Sequence, residues 1–168
     1  MEKAIFGGGC FWCTDAVFKM LKGVTKVLPG YSGGTKEDAT YEKVSSGRTN
    51  HAEVTYVEFD PELVSYRDLL TIFFASHDST TVNRQGNDIG PQYRSVVFYT
   101  TPEQERAAKA YAAGIEGAVT EVVPFTEFFP AEDYHKNYYE AHKDAPYCQI
   151  IINPKLEKVQ QRFAALLK

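Results

Sequence analysis

The sequence predicts an α/β (α+β) chain: a two-layer sandwich of helices on a sheet, with a ferredoxin-like βαββαβ core and additional C-terminal helices. Three observations carry this. Short β-branched or aromatic runs alternate repeatedly with stretches of helical apolar spacing. The middle of the chain follows the order strand, helix, strand, strand, helix, strand. At 168 residues, with no linker, repeat or low-complexity segment, the length fits one domain spanning residues 1–168 and buries a substantial core.

The elements follow in order. Lys3 to Phe6 reads as a short strand, and three glycines, Gly7 to Gly9, lead into a helix from about Cys10 to Leu21 that Gly23 stops. Val24 to Tyr31 is a second strand, followed by a polar loop to about Thr49 in which Tyr41 stands out. Ala52 to Phe59 alternates and ends at Asp60-Pro61, as a half-buried strand should. Ser65 and Asp68 form a capping-box pattern before the apolar stripe of a helix reaching Ser76. His77 to Gln92 reads as a polar loop and Arg94 to Tyr99 as a strand. Thr101-Pro102-Glu103 opens an Ala-rich helix framed by Gly114 and Gly117. Glu121 to Phe129 reads as a strand and its continuation, Ala131 to His142 as a helix, Gln149 to Ile152 as a strand, and Lys155 to Leu167 as a terminal helix.

Composition narrows the function. Hydrophobic residues at 43% and charged residues at 24% are ordinary for a globular protein. A net charge of −4 gives no basic footprint, so nucleic acid and anionic membrane surfaces are poor partners. No apolar run is long enough for a membrane span, and Met1 to Phe6 is too short for a secretory signal. A cytoplasmic, monomeric protein is expected. Its three cysteines, an odd number in a reducing compartment, favour catalysis, redox cycling or metal binding over a structural disulfide framework.

The chemistry concentrates at Gly7-Gly8-Gly9-Cys10-Phe11-Trp12-Cys13. A thiol at a helix start meets the positive end of the macrodipole, an environment that lowers a cysteine pKa, so Cys10 is a candidate nucleophile held as thiolate. Cys13 lies one turn on. Phe11 and Trp12 offer apolar faces that suit a methyl group beside the sulfur. Glu53, at a strand start, could serve as a general acid if desolvated. The segment Asn83 to Arg94 packs hydrogen-bonding side chains into a turn-rich loop of the kind that orients polar substrate atoms. Three readings remain open at this point: a thiol enzyme acting on an oxidised or acylated substrate, a dithiol exchanger using Cys10 and Cys13, and a zinc module using Cys10, Cys13 and Cys148 with a histidine. The zinc reading is weakened by the isolation of the third cysteine.

Five ordered blocks resemble the A-type peptide methionine sulfoxide reductases. They are Gly8-Gly9-Cys10-Phe11-Trp12; Gly30-Tyr31-Ser32-Gly33-Gly34; Tyr41-Glu42 with His51-Ala52-Glu53; Gln85-Gly86-Asn87-Asp88 with Gln92-Tyr93-Arg94-Ser95; and Glu132-Asp133-Tyr134-His135. The resemblance implies reduction of methionine S-sulfoxide, free or in proteins, without a cofactor or metal. It implies that Cys10 attacks the sulfoxide sulfur and that Glu53 protonates the oxygen. Tyr41 and Tyr93 would hydrogen-bond that oxygen, Asp88 and His135 would organise a water or the acid, and Phe11 and Trp12 would hold the methyl. Cys10 would become a sulfenic acid, which condenses with a second thiol. Cys148 matches the family's C-terminal resolving position and is favoured for that step. Cys13, which stands where the family more often has glycine, is the alternative. Thioredoxin is the reductant the resemblance implies.

Overall fold

A computed structural model describes residues 1–168. In chain order its elements are β1 (Glu2–Gly7), α1 (Phe11–Lys19), β2 (Val24–Ser32), α2 (Tyr41–Ser45), β3 (Ala52–Phe59), α3 (Tyr66–Ser76), a two-residue pair β4 (Arg84–Gln85) and β5 (Asp88–Ile89), β6 (Val96–Tyr99), α4 (Pro102–Ala113), β7 (Glu121–Pro124), β8 (Phe128–Pro130), α5 (Tyr138–Ala141) and α6 (Asn153–Arg162). Single 3-10 turns cover Pro91–Tyr93, Asp133–His135 and Ala164–Leu166, and a π-helical turn covers Cys148–Ile152.

Six strands form one sheet in the order β7-β6-β1-β3-β2-β8. Within it β3 lies antiparallel between β1 and β2, and β1 lies antiparallel between β3 and β6. With α1 joining β1 to β2 and α3 joining β3 to β6, this is the expected ferredoxin-like plait. The caps form as the sequence predicts: Ser65 and Asp68 exchange both bonds of a capping box at α3, and Thr101 Oγ1 accepts from Gln104 N–H at 3.1 Å at α4.

Strands β7, parallel to β6, and β8, antiparallel to β2, extend the plait at opposite edges. Only Phe125, Thr126 and Glu127 join them. Four residue steps reach at most about 14 Å, whereas five interstrand spacings of a flat sheet span about 24 Å. The sheet is therefore rolled. The linking residues hold both rims, since Phe125 N–H donates to Tyr99 O at 2.9 Å and Ser32 Oγ donates to Glu127 O at 2.7 Å. Gly30 permits the β2–β8 approach, because a Cβ there would overlap the Phe128 ring and the Phe129 carbonyl.

Rolling buries both faces of the sheet. The helix-covered face holds the main core, including Phe6, Phe18, Val57, Phe59, Leu69 and Phe73. The concave face holds Ile5, Ala52, Val54, Val96 and Phe98, closed by Tyr56, Phe125 and Phe128. Alternation along β3 assigns Glu53, Thr55, Val57 and Phe59 to the helix face, and Thr14 of α1 meets Thr55 there at 2.5 Å between hydroxyl oxygens. A one-residue slip of β3 would turn Glu53 away from α1.

Several elements differ from the sequence reading, each for a local reason. Helix α1 begins after Cys10 and ends at Lys19, and Leu21 instead pairs with Leu167. Tyr41 starts the short helix α2, capped by Thr40, rather than lying in a loop. The segment read as a loop from His77 to Gln92 contains the β4–β5 hairpin. The run read as one strand from Glu121 to Phe129 is two, split between the sheet edges. The helix expected over Ala131 to His142 is broken at Asn137, whose φ of 56° is left-handed, a conformation that asparagine tolerates better than most residues. The strand expected at Gln149 to Ile152 is a π-helical turn running into α6. There Cys148, Ile152, Leu156 and Val159 are buried at helical spacing, and Pro154 supplies no amide to continue an α-helical ladder. The terminal helix stops at Arg162 and a 3-10 turn follows.

Candidate active site

Cys10 sits where the chain leaves the sheet and enters α1. Gly9, at φ 89°, makes the turn, its N–H donates to Tyr93 O at 3.2 Å, and a Cβ on it would stand 2.8 Å from Gln85 Cγ. Cys10 is the extended residue before the helix, and its carbonyl accepts from Cys13 N–H at 3.1 Å. The helix start does not yield the low-pKa thiolate expected from the sequence. Burial is the largest influence and pushes the Cys10 thiol well up, with Glu53 and Cys13 adding to it, while the Trp12 backbone N–H pulls the other way. A partial charge from a nine-residue helix is outweighed by desolvation beside other acidic groups. At rest Cys10 is a protonated thiol.

Glu53 faces Cys10 from β3, directly opposite Tyr31 of β2. It is 1% exposed, and its Oε1 accepts the Phe11 N–H at 3.2 Å. Burial raises its carboxyl to about 8, the Phe11 N–H opposes the shift, and Asp88 adds to it. Near neutral pH Glu53 is a protonated acid beside a protonated thiol.

Aromatic side chains from four segments close over this pair. Phe11 is fully buried, with its ring 5.8 Å from Tyr31, 6.4 Å from Tyr41 and 5.2 Å from His135. Trp12 stacks on Tyr138 at 3.7 Å and donates its indole N–H to His135 Nδ1 at 3.1 Å. Burial keeps His135 neutral by lowering its pKa, consistent with its Nδ1 acting as an acceptor. Tyr41 lies 4.4 Å from His135, ring to ring. Burial and the neighbouring acids raise the Tyr41 phenol to about 12 and Tyr93 further, and neither hydroxyl is held by another protein group. Both remain available as donors. Asp88 accepts the Tyr147 O–H at 2.9 Å, and the same hydroxyl lies 3.7 Å from Cys13 Sγ.

Beside Cys10 opens a cleft of about 460 Å³, walled by Gln85 to Asp88 on one side and by Tyr147, Ile150, Ile151, Pro154 and Lys155 on the other. All three cysteines are free and buried. Cys13 is one turn from Cys10, whereas Cys148, on the π-helical turn, is fully buried and not part of the cleft wall. The structure thus gathers Cys10, Phe11, Trp12, Cys13, Tyr41, Glu53, Asp88, Tyr93 and His135 around one point, with Cys148 buried outside the cleft wall. Tyr31, Glu132, Tyr138 and Tyr147 also shape the site, although sequence reasoning gave them no role. Glu132 and Tyr31 stand inside the resemblance blocks, and Tyr147 beside the expected resolving thiol, which was the available signal. No group of three or more His, Cys, Asp or Glu side chains is arranged to hold a metal ion. No helix is long and apolar enough to cross a membrane.

The arrangement can present a sulfur nucleophile to an electrophilic atom and a carboxylic acid and two phenol donors to the oxygen it bears, with aromatic faces beside it. Comparison with known proteins points to the same chemistry. A family model described as peptide methionine sulfoxide reductase matches residues 2–167. A curated peptide methionine sulfoxide reductase MsrA from Sulfolobus acidocaldarius is 52% identical, over 97% of this chain and 96% of its own length. Its namesake from Thermus thermophilus is 48% identical over 99% and 98%. Among solved structures, methionine sulfoxide reductase A of Corynebacterium diphtheriae superposes with a TM-score of 0.77 at 33% identity, covering 84% of this chain and 74% of that one. Mxr1 from Saccharomyces cerevisiae in reduced form gives a TM-score of 0.80 at 29% identity, covering 88% of each chain. With the family model matched from end to end and relatives about half identical over nearly all of their length, the chain belongs to the peptide methionine sulfoxide reductase family.

Proposed function

We infer that this protein reduces methionine sulfoxide, free or in proteins, to methionine by thiol chemistry at Cys10, with the S epimer as substrate. The observation that carries the reading is Glu53: a buried carboxyl with a pKa of about 8, beside the thiol and under two uncommitted phenols. A sulfoxide oxygen gains negative charge as the S–O bond weakens, so it needs a proton source and donors already in place. In this reading Glu53 protonates the oxygen, Tyr41 and Tyr93 donate hydrogen bonds to it, and Phe11 and Trp12 hold the methyl. Asp88 and His135 organise a water or the acid, His135 accepting the Trp12 indole N–H and Asp88 the Tyr147 hydroxyl as they do so. As Cys10 sulfur attacks the sulfoxide sulfur its thiol proton is released and the oxygen takes one from Glu53; the sulfur–oxygen bond to the substrate breaks and the oxygen ends on Cys10, leaving a Cys10 sulfenic acid, oxidised by two electrons, and the substrate thioether.

The sulfenic acid then condenses with a second thiol, forming a disulfide and releasing water. Cys148 is favoured as that thiol on its family position, and reaching Cys10 requires the π-helical turn after Tyr147 to open. Cys13 is the alternative and needs no such movement. Thioredoxin is the proposed reductant of the disulfide by thiol–disulfide exchange, in line with a structure of yeast Mxr1 solved in complex with Trx2. The proposed setting is the cytoplasm. Turnover of separated sulfoxide epimers with thioredoxin tests the reading. Cys10→Ser is expected to abolish reduction of the S epimer, and retained activity in that variant would overturn it. Insulin reduction faster than sulfoxide turnover would favour general dithiol exchange instead.

A further inference from the structure

Glu132 is the acceptor that joins two donors from separate elements. Its Oε1 takes the Tyr31 O–H from β2 at 2.8 Å, and its Oε2 takes the Tyr41 backbone N–H from α2 at 2.9 Å. Its own carbonyl accepts the His135 N–H at 2.9 Å. Three residues that touch the Phe11 ring are therefore anchored on one side chain and its peptide. The Tyr41 amide belongs to the first turn of a five-residue helix and has no acceptor within it. Helix α2 is otherwise held by its Thr40 cap, by Gln92 Nε2 donating to Ser45 O at 3.3 Å, and by packing. Tyr31 is fully buried, so its hydroxyl fixes the carboxylate against a rigid part of the sheet.

We propose that Glu132 is a positioning residue for sulfoxide reduction, tying the Tyr41 backbone to Tyr31 and to the His135 turn so that the Tyr41 hydroxyl is aimed at the sulfoxide oxygen. The proposal rests on the reading of Tyr41 as a donor to that oxygen. Glu132 acts through Tyr41 and does not touch substrate. A misaimed donor weakens the charge-developing step more than it weakens substrate binding, so the rate constant moves and the apparent affinity does not.

The test is single-turnover reduction of methionine S-sulfoxide by the reduced full chain, at saturating substrate, in a mutant cycle. Glu132→Ala is expected to slow the step by about 10- to 100-fold, the scale set by small misplacements of reacting groups, with Trp12 emission little changed and the thermal midpoint lowered by the unpaired Tyr31 hydroxyl. Glu132→Gln recovers most of the rate, because its amide oxygen can accept from Tyr41 N–H while its NH₂ donates to the Tyr31 oxygen. Glu132→Asp keeps the charge but is too short to span both donors, and is slowed as well. It serves as the test variant should Glu132→Ala not fold. In a Tyr41→Phe background the Glu132 substitutions add nothing, whereas in Tyr93→Phe they keep their full effect. Undiminished slowing in Tyr41→Phe overturns the proposal. So does a wild-type rate for both Glu132→Ala and Glu132→Asp, a result that leaves the Tyr41 reading intact if Tyr41→Phe alone is slow. A wild-type rate for Tyr41→Phe removes the donor role of Tyr41 itself, and the proposal with it.

Discussion

Replacing the acid at the centre of this site should make the protein more stable. Glu53 has an ordinary carboxyl pKa of 4.5 when solvated and about 8 in the folded protein. The folded state therefore binds a proton that the unfolded chain releases over that interval. Below pH 4.5 both states are protonated and the folded state loses nothing. As pH rises from 4.5 to about 8 stability falls, reaching a total loss of about 5 kcal/mol, of which roughly 3 kcal/mol is already felt at pH 7. Glu53→Gln is uncharged in both states, and its side-chain oxygen can still accept the Phe11 N–H. Other titrating groups are common to both proteins and cancel in the difference. The expectation is equal stability near pH 4, a variant more stable by about 3 kcal/mol at pH 7, and a gap of about 5 kcal/mol above pH 8. Urea unfolding under reducing conditions at three pH values measures it. A gap that stays constant with pH would mean that Glu53 is not held protonated by burial, and the acid reading would fail with it.

The same residue sets the kinetics. The single-turnover sulfoxide step should be level below pH 8 and fall tenfold per unit above it, while Glu53→Gln slows it by about 10²–10⁴; sulfenic acid formation at the wild-type rate in that variant would refute the role. For the resolving thiol, peptide mapping after oxidation by one equivalent of methionine sulfoxide is expected to show a Cys10–Cys148 bond. A Cys10–Cys13 bond that persists in Cys148→Ser with full thioredoxin recycling reverses the assignment.

The fold was legible where local chemistry and tertiary structure agree. The Ser65–Asp68 box and the Thr101-Pro102 helix start each act within one element and are found as predicted; the strand over Ala52 to Phe59 is found too, but the rolled sheet buries both of its faces where the alternation predicts one. The order of the core elements then limits the plait to very few topologies. What escaped was set by distant partners. Glu121 to Phe129 carries one continuous β pattern, and only the rolled sheet divides it between two edges. Gln149 to Ile152 looks β-rich by composition, but burial of Cys148 and Ile152 in step with Leu156 and Val159 makes it helical. Asn137 breaks a helical pattern by adopting a left-handed conformation, with its side chain held by Lys19 from α1, 118 positions away in sequence.

The candidate site divides along the same line. Residue types and spacing single out Cys10, and the family resemblance adds Phe11, Trp12 and Glu53, but the protonation states follow from burial, which no local pattern displays. The helix start argues for a thiolate at Cys10. Phe11, Tyr31, Tyr41 and His135, converging from four segments, make the surroundings dry enough to reverse that. The same burial raises Glu53, so thiol and carboxyl both hold protons at rest. In the proposed reaction this is coherent, because forming methionine and a Cys10 sulfenic acid consumes no net proton. The proton Glu53 gives to the sulfoxide oxygen is matched by the one the thiol releases. A lone thiolate or a lone carboxylate in so apolar a place would be costly. Keeping both groups neutral until a sulfoxide arrives ties deprotonation of the nucleophile to protonation of the oxygen, so that neither charge has to stand alone.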